Sequence, residues 1–211
     1  MNAQPTVYVI DDDPGIRSYI SALAKNKGFA AEAFASADDF LNHLNQHGTL
    51  AGCAVVDVKL PGMNGLELMQ TLNERSVRLP VIVITGFAEV PLAVKAMKAG
   101  AVTFLEKPFQ DQDLWQNIQI AMEENEQTLQ NLQRKAIIEA RFAELSSDET
   151  AVMMKMLRGL PNKRIAAELD IGLRTVELRR ANVLKKMQVD SLAELVRLAM
   201  LVGIMPEAEE P

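Results

Sequence analysis

The chain has 211 residues, 48% of them hydrophobic and 24% charged, with a formal net charge of −6. This suits one or two globular domains in water and argues against nucleic-acid binding by the whole surface, while leaving room for a local basic patch. Cys53 is the single cysteine, so no disulfide forms within the chain; a reducing cytoplasm is the expected location, with no membrane partner, since no apolar run would span a bilayer and the N-terminus enters a strand directly.

Thr6-Val7-Tyr8-Val9-Ile10 is predicted as a strand and runs into Asp11-Asp12-Asp13. Pro14 opens a helix with Ile16, Tyr19, Ile20 and Leu23 on one face, ended by Gly28. Residues 29–35 predict a second strand. Ser36 or Ala37 leads into a helix with Phe40, Leu41 and Leu44 inward, closed by Gly48. Cys53-Ala54-Val55-Val56 is a third strand and ends in Asp57. A loop dense in turn formers follows, Lys59-Leu60-Pro61-Gly62-Met63-Asn64-Gly65, and Leu66, Met69 and Leu72 mark the next helix.

Pro80 then precedes Val81-Ile82-Val83-Ile84, four β-branched residues in succession, and Thr85-Gly86. An apolar run without alternation, bounded by proline and glycine, fits a strand buried on both faces. Val90, Val94 and Met97 mark a fourth helix ended by Gly100. Residues 102–106 form a fifth strand that runs into Lys107-Pro108. Asp111 starts a fifth helix with Leu114, Ile118 and Met122 on one side. Strands alternating with helices imply a parallel α/β sheet with right-handed crossovers. Side chains just past the carboxyl ends of such strands converge on one crevice. Asp11, Asp12, Asp57, Thr85 and Lys107 are therefore expected to meet.

Glycine and proline vanish between residues 123 and 144, where Glu, Gln, Lys, Arg and Ala dominate. Met122, Leu129, Leu132 and Ala136 are spaced roughly as a heptad seam that Asn125 interrupts. Two readings stand: a solvated helical linker, or an extension of the fifth helix that pairs with a second subunit. Ser146 and Glu149 then form a capping box for a helix with Val152, Met153, Met156 and Leu157 on its apolar face, stopped by Gly159. A helix from Asn162 carries Ile165, Ala166 and Leu169 inward, and Asp170-Ile171-Gly172 makes a turn. A helix from Leu173 has Val176, Val183, Leu184 and Met187 as core. Ser191 and Glu194 suggest a second capping box, for a last helix with Leu195, Leu198 and Ala199 inward. Short helices about a glycine-containing turn suggest helix-turn-helix. The acidic tail from Pro206 is expected to be disordered.

Three carboxylates in one crevice repel one another, and a hard cation such as Mg²⁺ relieves that repulsion with oxygen ligands. One carboxylate is then free to take a phosphoryl group, with an ammonium and the metal neutralising the transferring oxygens. Lys107 supplies the ammonium and Thr85 a hydroxyl. The same ingredients suit an aspartate-nucleophile, Mg-dependent phosphatase of the haloacid-dehalogenase kind. Those enzymes carry Asp-x-Asp, whereas Val58-Lys59 follows Asp57 here.

Residues 5–122 closely resemble response-regulator receiver domains. The resemblance rests on Val9-Ile10-Asp11-Asp12-Asp13, on Asp57 with Leu60-Pro61-Gly62-Met63-Asn64-Gly65, on Ile84-Thr85-Gly86 and on Lys107-Pro108-Phe109. It implies a flavodoxin-like (βα)5 fold and phosphorylation of Asp57 by a sensor histidine kinase. It also implies Mg²⁺ held by Asp12, Asp57 and the main-chain carbonyl of Lys59, with Asp11 acting mainly through water. Thr85 and Phe104 fall at the family's switch positions. The stretch of residues 81–109 is similar to FixJ-type members, although Phe87 stands where a small or polar residue is expected, two after Thr85. Its bulk is expected to hinder the attacking water and slow loss of the phosphoryl group.

Residues 158–187 hold eight Lys and Arg against three acids, an asymmetry in an otherwise acidic chain. Residues 144–202 resemble the LuxR/NarL-type helix-turn-helix. By position in that motif Lys163, Thr175, Arg179, Arg180 and Lys186 would touch phosphates, with Asn162, Arg174 and Lys185 also in the DNA-binding set. Glu177, Leu178 and Ala181 would face bases. Arg179 stands where His is frequent and Gly172 where Ser often caps the helix.

The expected organisation is a receiver (1–123), a helical linker (124–144), an all-α helix-turn-helix domain (145–205) and a tail (206–211). The expected function is a two-component DNA-binding transcription regulator, not an enzyme beyond its own phosphorylation and dephosphorylation. Expected partners are a histidine kinase, double-stranded DNA, RNA polymerase and, when phosphorylated, a second copy of the chain. A receiver with a protein-interaction output is the remaining alternative.

Overall fold

A computed structural model describes residues 4–87 and 89–205; the predicted disorder of the tail falls outside the described residues. Two compact units divide near residue 130.

In the first unit, β1 (Thr6–Ile10), β2 (Ala30–Phe34), β3 (Gly52–Asp57), β4 (Val81–Thr85) and β5 (Thr103–Glu106) form one sheet in the order β2-β1-β3-β4-β5. Every pairing is parallel. β1, β3 and β4 are buried along their whole lengths, as expected of central parallel strands with continuous apolar runs. Their side chains alternate between two cores. Val7, Val9, Ile82 and Ile84 pack with Ile20 and Ala24 of α1 (Pro14–Asn26) and with Leu114 and Ile118 of α5 (Asp111–Ala143). Tyr8, Ile10, Val81 and Val83 pack with Phe40 and Leu44 of α2 (Ala37–His47), Leu68 and Leu72 of α3 (Gly65–Glu74) and Ala96 of α4 (Val90–Lys98). Each such fully buried aliphatic side chain contributes roughly 1.5–3 kcal/mol.

The helix starts follow local chemistry. The Asp13 carboxylate accepts from Gly15 N ahead of Pro14, and Ser36 caps α2. Asn64 and Glu67 close a capping box on α3. The apolar residues that mark these helices are not all buried. Tyr19 is partly exposed, its hydroxyl bonded to Asp111. Leu68, not Leu66, is the fully buried leucine of α3. The apolar residues that mark α4 point outward, with Val90 77% exposed and Val94 and Met97 about half so, while only Ala96 is buried.

α5 runs unbroken for 33 residues, so the glycine-free stretch is helical and extends the fifth helix. Asn125, read from sequence as a break in a seam, is a buried anchor: its Oδ1 accepts from Gly52 N at 2.8 Å and its Nδ2 donates to Arg78 O at 3.0 Å. Gly52 has φ +130°, and a Cβ there would lie 1.9 Å from the Thr6 carbonyl, so the strand start has room for glycine alone.

The second unit gathers Ile138 and Phe142 of α5 with α6 (Ser147–Leu157), α7 (Asn162–Glu168), α8 (Leu173–Met187) and α9 (Leu192–Leu201). Its core is Val152, Met153, Met156, Ile165, Val176, Val183, Met187, Leu195 and Leu198. The Ser146–Glu149 capping box is complete. The second one is half formed: Ser191 accepts from Glu194 N, but the Glu194 carboxylate accepts from Asp190 N, one residue before the cap. Gly172 caps α8 without a side-chain bond.

Candidate functional site

The strand order reverses direction between β1 and β3, and the carboxyl ends of those strands deliver Asp11 and Asp57 to one crevice, where open α/β sheets bind ligands. β5 brings Lys107 across to them. The Lys107 ammonium donates to Asp11 Oδ2 at 2.6 Å and to Asp57 Oδ2 at 2.9 Å. Asp57 Oδ1 accepts from Lys59 N at 3.2 Å, and Asp11 Oδ1 from Asp13 N at 2.9 Å. Burial raises the Asp11 pKa against the lowering pull of its bonds to Lys107 and Asp13. Burial works to lower that of Lys107, but its bonds to Asp11 and Asp57 prevail and raise it. The ammonium is thus held charged between the carboxylates.

Asp12, at the same turn, is exposed, and one carboxylate oxygen from each of Asp11, Asp12 and Asp57 lies within 4.8 Å of the others. An all-carboxylate donor set with one solvent-facing member fits a hard, partly hydrated divalent cation. Thr85 is buried, and its Oγ1 accepts from Phe87 N at 3.2 Å. Phe104 pairs in register with Val83 and packs half-buried against the core beneath α2–α4.

Three contributions were not read from the sequence: those of Arg17, of Gly65's missing side chain and of the Lys59 ammonium. Arg17 of α1 donates to the carbonyls of Asp11 at 2.7 Å and Asp12 at 2.9 Å, fixing the acidic turn. Gly65 admits no side chain, because a Cβ would stand 2.2 Å from the Asp57 carbonyl. Lys59 lays its ammonium 3.4 Å from the centre of the Phe87 ring. A helix-start arginine and a loop lysine look like ordinary surface charges in a sequence.

In the second unit α8 buries Val176, Val183 and Met187 and turns Arg174, Glu177, Leu178, Ala181 and Lys185 outward on one face. Leu178 is 62% exposed. Lys163 is exposed on α7; Asn162, Thr175 and Arg180 are half-exposed. Two predicted phosphate contacts have partners already. Arg179 pairs with Asp148. Lys186 donates to Glu149 Oε2 at 2.6 Å and to Glu144 O at 3.1 Å. The Lys186 bond, seconded by Ser146 N–H, holds the Glu149 carboxyl below the usual carboxylate range.

Comparison with known proteins agrees with both halves. The family described as "Response regulator receiver domain" matches residues 7–119, and "Bacterial regulatory proteins, luxR family" matches residues 143–199. The chain is 44% identical over 205 residues to the transcriptional regulatory protein FixJ of Bradyrhizobium diazoefficiens, covering 97% of this chain and 99% of the relative. It is 39% identical to the response regulator protein TodT of Pseudomonas putida, covering 90% and 83%. A low-resolution structure of the response regulator StyR superposes with TM-score 0.85 at 39% identity, covering 94% and 99%. Full-length FixJ from B. japonicum gives TM-score 0.57 at 44% identity, covering 97% and 100%.

Proposed function

The chain belongs to the two-component response regulators of FixJ type, a receiver joined to a LuxR-family DNA-binding domain, and on that premise we propose that Asp57 is its phosphoacceptor and α8 its DNA-reading helix. Its relatives are transcription regulators, which removes the phosphatase alternative; the LuxR-family match favours DNA over a protein-interaction output. The proposed division is a receiver over 1–123, a linker over 124–144 and a DNA-binding domain over 145–205.

The observation that carries the chemistry is the Lys107 ammonium held against both Asp11 and Asp57. An Asp57 oxygen forms the new P–O bond as the P–N bond of the kinase phosphohistidine breaks, its electron pair returning to the imidazole. Lys107 leaves the carboxylate for the incoming phosphoryl oxygens and stabilises their charge. Asp12, Asp57 and the Lys59 carbonyl would hold Mg²⁺, with Asp11 acting through water. When bound, the metal supplies positive charge at the transferring oxygens. The Thr85 hydroxyl turns from Phe87 N to a phosphoryl oxygen, and Phe104 responds as the second switch residue.

The outward Val90, Val94 and Met97 support a face on α4, β5 and α5 that pairs with a second phosphorylated copy. Two DNA-binding domains on one dimer gain affinity through effective concentration. No helix among the described residues is long and apolar enough to cross a membrane. A cytoplasmic location, a histidine kinase and DNA as partners, and RNA polymerase as a further one complete the reading. On DNA, Lys163, Thr175, Arg179, Arg180 and Lys186 would hold phosphates, supported by Asn162, Arg174 and Lys185. Glu177, Leu178 and Ala181 would meet base edges.

The test is intact-mass spectrometry after treatment with acetyl phosphate and Mg²⁺. Wild type should gain one phosphoryl group and Asp57→Asn none. No gain in folded wild type would overturn the assignment.

A further inference from the structure

The acids that meet α8 come from the first turn of α6. Asp148 and Glu149 are neighbours there, and each holds one basic side chain of α8. The two pairs differ in kind. The Glu149 side chain is 9% exposed and also accepts from Ser146 N, while Lys186 also reaches the Glu144 carbonyl; this pair helps to close the domain. The Asp148 side chain is 63% exposed, and the hydrogen bond to Arg179 is its one side-chain tie among the described residues. Arg179, by contrast, is only 23% exposed, its guanidinium drawn back toward α6. Lys163, Arg174, Arg180 and Lys185 make no ion pair among the described residues.

We propose that Asp148 competes with DNA phosphate for Arg179 and thereby restrains the sequence-independent affinity of the DNA-binding domain. The proposal rests on α8 meeting DNA. A guanidinium recognises carboxylate and phosphate through the same planar fork of donors, so Arg179 must leave one to serve the other. A solvent-exposed pair is weak enough to release, so Asp148 damps the contact and does not block it. Phosphate contacts carry no base information and set nonspecific affinity. An acid that opposes one of them therefore lowers binding to every sequence alike. In a chain that must find few sites among many, this reduces time spent on wrong ones.

The test uses the full chain and a random-sequence DNA duplex, titrated at several salt concentrations with and without acetyl phosphate. Asp148→Asn should bind several-fold tighter, and its plot of log affinity against log salt should steepen by less than about 0.9, the increment for one whole phosphate contact, because Arg179 already meets phosphate part of the time in wild type. Arg179→Gln should bind more weakly. In the Arg179→Gln background Asp148→Asn should change nothing, which separates a released arginine from the general effect of removing a negative charge. Equal strengthening in both backgrounds overturns the proposal. So does weakening by Asp148→Asn, which would mean that Asp148 aims Arg179 at the phosphate. Lys163→Ala and Arg180→Ala report on the underlying reading: if neither weakens salt-dependent binding, α8 does not meet DNA and the proposal falls with it.

Discussion

Phe87 lies beneath the side chain of Lys59, whose Nζ is 3.4 Å from the ring centroid. Lys59 is two residues past Asp57, and Phe87 two past Thr85. The pair thus joins the two segments that leave β3 and β4, and the ring is 61% exposed. A cation over an aromatic face is attracted to it, which holds the ring in place.

That placement predicts slow loss of the phosphoryl group. Phe87→Ala opens the approach for water and should speed dephosphorylation roughly 3–10-fold, a barrier change of about 0.7–1.4 kcal/mol. Lys59→Ala should act the same way but less, and the double variant should fall short of the product of the two. Phosphate release from the acetyl-phosphate-treated receiver measures this. An unchanged rate in Phe87→Ala would refute the shielding role.

The carboxylate cluster predicts a thermal shift with metal. Mg²⁺ at one hundred times its dissociation constant should raise unfolding free energy by about 2.7 kcal/mol if it binds only the folded state. Asp12→Asn should lose most of this shift. Melting curves over a Mg²⁺ titration decide it, and a flat response in wild type would remove the three acids as a cation site.

Asn125 satisfies two main-chain groups at the base of the sheet. Asn125→Ala leaves the Gly52 N–H and the Arg78 carbonyl without partners, at a cost of about 1–3 kcal/mol each. Asn125→Leu, which would continue a heptad seam, should destabilise the protein comparably. Urea unfolding gives the size of the loss, and faster amide exchange at Gly52 gives its location.

Glu149 carries the expected acid sensitivity of the second unit. Its pKa is lowered in the folded state by Lys186 and then Ser146. The stabilisation is therefore present above the ordinary glutamate value of 4.5 and is lost as pH falls through the depressed folded value. Glu149→Gln should melt below wild type at pH 7, and the gap between them should close under acid. A gap that stays constant with pH would show that the charge of Glu149 contributes nothing.

The sequence by itself determined the element order, most caps and the polar groups of the crevice. These depend on signals a few residues long: β-branched runs, turn residues and acids at strand ends, which local sterics and hydrogen bonding convert directly into structure. At α4 the spacing of Val90, Val94 and Met97 marked the helix but left open which way they face, and they lie on the outer side. Periodicity marks an apolar stripe without saying what covers it. Asn125 likewise looked like an interruption until the sheet base supplied its partners. The tertiary structure alone decided that Lys107 bridges Asp11 and Asp57, that Arg17 holds the acidic turn, and that Asp148 reaches Arg179. Each joins groups whose separation in space is set by chain packing, and no local pattern encodes a distance between them.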